Sequence, residues 1–273
     1  MKKLIHKITG SAGFSLLEAL VAIILAGVVI TAVFKVYVNQ HKSWNQQEEI
    51  IDMQQNARAA IDELTRQIRM AGFGLPLQLD GIEAYNTNPD TIILNYADGN
   101  CQVTIEHKMP NPSSELRCDG HDVSCFWDGQ WIFIFDPDSG GGEFFEISHV
   151  QTGSSHIQHN TMDLSKAYDA GAILLALTRV KFYIDNTDTL HPNLMIELPG
   201  QNPQVYAENI VDLQFRYVMK NGAVVDVPAI PEDIRQVLIN LTARTNNREI
   251  DLPGQPYRTR VISSAVNVRN LDV

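Results

Sequence analysis

Residues 14–38 read FSLLEALVAIILAGVVITAVFKVYV, an apolar run about as long as a helix needs to cross the ~30 Å hydrocarbon layer of a bilayer. No other feature of the chain restricts its fold so strongly. Ahead of the run, residues 1–13 (MKKLIHKITGSAG) carry Lys2, Lys3 and Lys7 and no acid, so the positive-inside rule keeps that end in the cytoplasm. A secretory signal places small residues at a cleavage site after its apolar run. Here Ser11, Ala12 and Gly13 stand before it. Glu18 is the one acid inside the run. A lone carboxylate at that depth costs a few kcal/mol, and intramembrane acids usually have a partner.

Helical periodicity continues past the run. Residues 39–71 hold no Gly or Pro, and Trp44, Ile51, Ala57, Ala60, Ile61, Leu64 and Ile68 recur at helical spacing, until Gly72, Gly74 and Pro76 break the pattern. One helix from Phe14 to Met70 would be roughly 85 Å long at the standard rise. After Pro76 the period changes to two. Short runs rich in Ile, Val, Phe and Tyr fall at 91–96, 101–107, 130–136, 143–150, 172–185, 194–198, 210–219, 223–227, 234–245 and 258–268. Most alternate, which predicts antiparallel sheets with one wet face. Asn221-Gly222 is a hairpin signal. Residues 234–245 could start a helix after Pro231, but Val237, Ile239, Leu241 and Ala243 alternate, and a strand is expected. The predicted fold class is α+β, with a long N-terminal helix packed against a sheet-rich antiparallel head. Its parts are a basic leader at 1–13, an apolar helix at 14–38, an amphipathic continuation at 39–71 and a β-rich head at 72–273.

A chain of 273 residues with 44% hydrophobic and 19% charged side chains has the means to build a core, and a disordered chain or a bare coiled coil is excluded. With 21 basic against 32 acidic residues the net charge is −11, so no nucleic-acid partner is expected through a general basic field. A local basic patch remains near Arg244, Arg248, Arg258 and Arg260. Asp136, Asp138 and Glu143 surround a Gly-rich loop and form a weak calcium candidate. They lack EF-hand spacing, and hairpin-turn chemistry explains them better. His149, His156 and His159 have no supporting acid in sequence, so no metal is assigned. No nucleophile elbow, zinc-protease helix, phosphate loop or dinucleotide fingerprint occurs, which leaves an enzyme reading without a residue and implies no cofactor. Three cysteines suit an oxidising compartment. If 101–107 and 114–118 are arms of a hairpin around Pro110 and Pro112, Cys101 opposes Cys118. A Cys118–Cys125 loop is the alternative.

Gly13-Phe14-Ser15-Leu16-Leu17-Glu18 resembles the processing motif of type IV pilins and pseudopilins, the class III signal peptides. The resemblance implies cleavage after Gly13 by a prepilin peptidase, N-methylation of Phe14, and a role in assembly for Glu18, whose carboxylate would meet the Phe14 amino group of a neighbouring subunit. Losing Lys2, Lys3 and Lys7 would shift the net charge from −11 to −14. Residues 64–74 (LTRQIRMAGFG), 211–217 (VDLQFRY) and 266–270 (VNVRN) resemble the PilW family of minor pilins. That likeness implies a non-enzymatic minor pilin of a type IV pilus, taking part in the priming or tip complex. It would lie in the inner membrane with its head in the periplasm and then in the filament at the cell surface. Its partners would be other minor pilins, the major pilin, the assembly platform and membrane lipid. The same motif also suits a J-type minor pseudopilin of type II secretion, or a membrane-tethered adhesin or DNA-binding subunit.

Overall fold

The computed structural model describes residues 13, 15–77, 79–138, 140–248, 254 and 256–271. Helix α1 spans Leu16–Met70. The strands follow in chain order: β1 Ile82–Tyr85, β2 Thr91–Thr104, β3 Leu116–Arg117, β4 Trp131–Phe135, β5 Gly142–Glu146, β6 His149–Gln151, β7 His156–Gln158, β8 Ile173–Asp185, β9 Asn193–Glu197, β10 Gln204–Glu208, β11 Ile210–Met219, β12 Val224–Val225, β13 Ile234–Arg244 and β14 Thr259–Asn267. The chain divides into two compact units, Met1–Ile50 and Ile51–Val273. The layout is α+β: one long apolar N-terminal helix and an antiparallel, sheet-rich domain.

In the first unit α1 is apolar and open to its surroundings. From Leu16 to Val38 none of its side chains is buried. Gly27 does not interrupt it, and the Thr31 hydroxyl back-bonds to the Gly27 carbonyl at 2.7 Å. The helix is long and apolar enough to cross a membrane.

In the second unit the last turns of α1 bury Met53, Ala57, Ala60, Ile61, Leu64, Gln67 and Ile68, a stripe at three- and four-residue spacing. Trp44 and Ile51, expected on this stripe, are 67% and 52% exposed, so the buried face starts at Met53. The helix ends where Gly72 adopts φ +84°, a conformation that glycine takes without strain. A Cβ there would come within 2.7 Å of the Asn270 carbonyl oxygen. Asn270 also caps the helix: its Nδ2 donates to the Arg69 carbonyl at 3.1 Å.

Seven strands form the main sheet in the order β1-β2-β8-β4-β5, with β9 on β8 and β10 on β9, all antiparallel. Strand β8 is long enough to serve two neighbours on one edge. Its first half pairs with β4 and its second half with β9. The runs expected at 91–96 and 101–107 are one strand, β2, with a register shift between Ala97 and Gln102. In β4, Ile132 and Ile134 join one core with Leu174 and Ala176 of β8, while Phe133 and Phe135 join another with Leu175 and Leu177. Strand β4 and the first half of β8 are therefore dry on both faces, against the expectation of one wet face. The second half of β8 alternates as expected, with Arg179, Lys181 and Tyr183 half-buried between buried neighbours. Loop residues such as Leu75 and Leu79 pack on the second side.

A second sheet runs β12-β11-β13-β14. Its central strand β13 does show the expected alternation, with Ile234, Val237, Ile239, Leu241 and Ala243 buried. The Asn221-Gly222 turn joins β11 to β12, with Gly222 at φ +83°. Asp90 ties the loop before β2 to this sheet: its amide donates to the Leu213 carbonyl, and its carboxylate accepts the Phe215 amide, both at 2.8 Å. A small sheet, β3-β7-β6, closes over the first core.

The cysteine pairing differs from both expected forms. Cys101 bonds to Cys125, with Cα atoms 5.8 Å apart, and Cys118 is a free, buried thiol. The reason is register. The Glu106 amide donates to the Arg117 carbonyl, so residue 106 lies opposite 117, whereas the expected hairpin put 105 opposite 114. That shift leaves Cys118 level with residue 105, four residues short of Cys101, and the chain beyond Cys118 brings Cys125 there instead.

Candidate functional site

The residues singled out in the sequence lie at the start of α1 and on loops of the sheet domain. Gly13 is exposed, and Phe14 and residues 1–12, expected from the sequence to be a leader, lie outside the described residues. The first helical bond runs from the Ala19 amide to the Ser15 carbonyl at 3.1 Å. Ser15 is therefore the residue that caps the helix. Its hydroxyl oxygen accepts the Glu18 amide at 3.2 Å, while Glu18 Oε2 accepts the Ser15 amide at 2.9 Å and the Ser15 hydroxyl at 3.1 Å. Such a reciprocal capping box satisfies orphan donors of the first turn. It also sets the carboxylate at the positive end of the helix dipole. Glu18 thus has hydrogen-bond partners within its own chain, which eases the cost of an acid in an apolar segment. Sequence reasoning considered only an external cation for Glu18 and missed Ser15. The signal was present as the Ser-x-x-Glu spacing.

On the sheet domain, Asp136 and Asp138 belong to the β4–β5 turn, where Asp136 Oδ1 accepts the Asp138 amide at 2.9 Å. Glu143 is committed elsewhere. Its carboxylate accepts the Ser165 amide at 2.8 Å and hydroxyl at 2.7 Å, and the Tyr168 hydroxyl at 3.0 Å. The three acids of the calcium candidate do not converge. Burial, with the Glu143 charge beside it, pushes the Tyr168 phenol well above its ordinary range.

The histidines are also separated. His149 pairs with Asp128 at 2.9 Å, and His159 is buried between the Met162 and Ser114 carbonyls. His156 lies between Asp119 and Glu115, at 3.0 and 3.2 Å. Asp119 also meets His107 and Arg117, each at 2.9 Å. Among the described residues no group of three or more His, Cys, Asp or Glu side chains has the arrangement of a metal site. Cys118 is no nucleophile either: burial, with Asp119 and Glu106 nearby, pushes its thiol up to about 12.

Of the basic patch, Arg258 and Arg260 are exposed, whereas Arg244 and Arg248 make contacts within the domain. The Arg244 guanidinium donates to the Thr189 and Leu190 carbonyls at 2.9 and 2.8 Å and stacks 4.1 Å from the Tyr257 ring centre. Arg248 donates to the Tyr257 hydroxyl at 3.1 Å. These two arginines tie loops together.

A groove of about 340 Å³ lies on the main sheet, between Trp131, Phe144, Arg179, Lys181 and Glu197. Both of its cations are neutralised. Lys181 pairs with Glu197 at 2.9 Å, and Arg179 Nη2 pairs with Glu83 Oε2 at 2.9 Å. Buried Asn95 joins that pair, donating to Glu83 at 2.9 Å and accepting from Arg179 at 3.1 Å. Burial works to raise the Glu83 carboxyl, but Arg179 and Asn95 outweigh it and hold the group below its ordinary range. The unit joins β1, β2 and β8; it contains no activated nucleophile or base. No family model, curated protein or solved structure matches the chain.

Proposed function

We propose that the protein is a minor pilin of a type IV pilus, without catalytic activity, processed after Gly13 and carried in the membrane by α1 before it joins a priming or tip complex. The observation that carries this reading is a combination of features: the Gly13–Glu18 motif runs into the first turn of an exposed apolar helix whose last turns belong to an antiparallel, sheet-rich domain. The capping box supports it. Both of its carboxylate bonds end on Oε2 of Glu18 and lie at the Ser15 side, the side from which a neighbouring subunit's terminal ammonium would approach. Two of the segments that carry the PilW-like resemblance also meet in space, where Asn270 caps the end of α1 at Arg69 beside Gly72.

In this reading the head works by surface contact with other pilins. Intact mass of the protein extracted from membranes tests it. The expected result is loss of residues 1–13 and gain of one methyl group. Cleavage beyond residue 35, as for a secreted protein, overturns it.

A further inference from the structure

The end of the apolar run carries a feature that processing and assembly do not use. Tyr37, His41 and Trp44 lie at i, i+4 and i+7 of α1, so they share one face of the helix. Their rings form a ladder, with centroids 6.1 Å apart for Tyr37 and His41 and 6.3 Å for His41 and Trp44. Tyr37 is 61% exposed and Trp44 67%. Among the described residues of the first unit, none buries Tyr37 or Trp44. The chain changes character at this level: after Val38 come Asn39, Gln40, His41, Lys42 and Ser43.

We propose that Tyr37, His41 and Trp44 are the interfacial anchor that fixes the depth of α1 in a phospholipid bilayer, and that this depth sets the Ser15–Glu18 cap in the opposite headgroup layer. The proposal rests on the membrane reading above and adds a register to it. Tyr and Trp have an apolar body and a polar tip, and they collect where hydrocarbon gives way to headgroups. Lys35, two residues below Tyr37, has a stem long enough to carry its ammonium to that level.

The distances agree. Glu18 and Tyr37 are 19 residues apart, about 29 Å along a helix, against about 30 Å of hydrocarbon. Helical side chains all lean towards the N-terminus, so the lean shifts both groups alike and preserves the separation. With Tyr37 at one boundary, Glu18 lies at the other. Its carboxylate already points out of the run, towards the Ser15 amide. The acid that looked misplaced inside an apolar segment is then at the edge of the hydrocarbon, and Gly13 lies beyond it, within reach of a membrane-surface peptidase. Val28 falls near the middle.

Depth-dependent quenching tests the register on the full chain in phosphatidylethanolamine–phosphatidylglycerol vesicles. Emission that is present in the wild type and lost in Trp44→Phe belongs to Trp44, since Trp127 and Trp131 remain in both. Lipids brominated near the headgroup should quench it about twofold more than lipids brominated at the chain ends. In a Cys118→Ala background, a nitroxide on Val28→Cys should read the hydrocarbon centre, and one on Glu18→Cys the headgroup level. If Trp44 is unquenched, or quenched most by chain-end bromines, while Val28 still reads hydrocarbon, the anchor is wrong and the membrane reading stands. A ladder that packs on protein would give that first outcome. If Val28 also reads water, both fall.

Discussion

At the scale of single residues, charge in the sheet domain is arranged in closed groups. Glu83 shows how. It is a quarter or less exposed, yet it stays ionised because the Arg179 guanidinium and the Asn95 amide hold the charged form. A carboxyl with a depressed folded value contributes stability that is complete above its unfolded value, near 4.5, and is lost as pH falls through the folded one. Acid should therefore weaken the β1–β2–β8 junction. Glu83→Gln keeps the shape and removes the charge, so it should be less stable than the wild type at neutral pH and show a flatter decline between about pH 5 and 3. Urea midpoints measured across that range check this. Equal slopes for the two proteins would mean that Glu83 is not the group that matters.

At the scale of elements, the Cys101–Cys125 bond closes the segment that covers the first core, from the end of β2 through β3 to the loop before β4. The loop it closes has a sequence separation of 24. On the chain-entropy account, opening it by Cys125→Ser should cost about 3 kcal/mol. The loss should appear as a lower urea midpoint with a somewhat steeper slope, since the opened chain unfolds to a less compact state. Cys118 should resist alkylation in the folded protein, because its thiol is buried and pushed up to about 12, and should react only after unfolding. Labelling of one thiol per folded chain at neutral pH would show that the pairing is different. This pairing was hidden in the sequence because three cysteines permit three bonds, and the register that selects among them depends on where the Arg117 carbonyl finds its donor, Glu106.

At the scale of the whole chain, the helix residues buried in the second unit start at Met53, and the buried core lies within residues 53–266. A fragment of residues 51–273 should therefore be soluble and cooperative in unfolding, with circular dichroism dominated by sheet. A fragment that aggregates or unfolds without a sharp transition would show that residues before Ile51 are needed for the fold. Within this domain the long helix was readable because its period is local: the apolar run, the following stripe and the Gly72–Pro76 break all lie in one continuous stretch. The hairpin at Asn221-Gly222 and the alternation of β13 were readable for the same reason.

What the amino-acid order determined alone is what neighbours in sequence decide: the extent of α1, the Ser15–Glu18 cap at its start, the turn after β11, and the balance of charge that excludes a general basic surface. Tertiary structure decided the rest. Strand β4 and the first half of β8 are buried on both faces because other segments close over each side, and no local pattern reports what will cover a face. Glu143, grouped in the sequence with the acids of the β4–β5 turn, instead bonds to Ser165 and Tyr168, more than 20 residues away. Arg244 turned inward to the Thr189 and Leu190 carbonyls. Each of these outcomes is a long-range hydrogen bond or packing contact, and its partner is chosen by the fold as a whole.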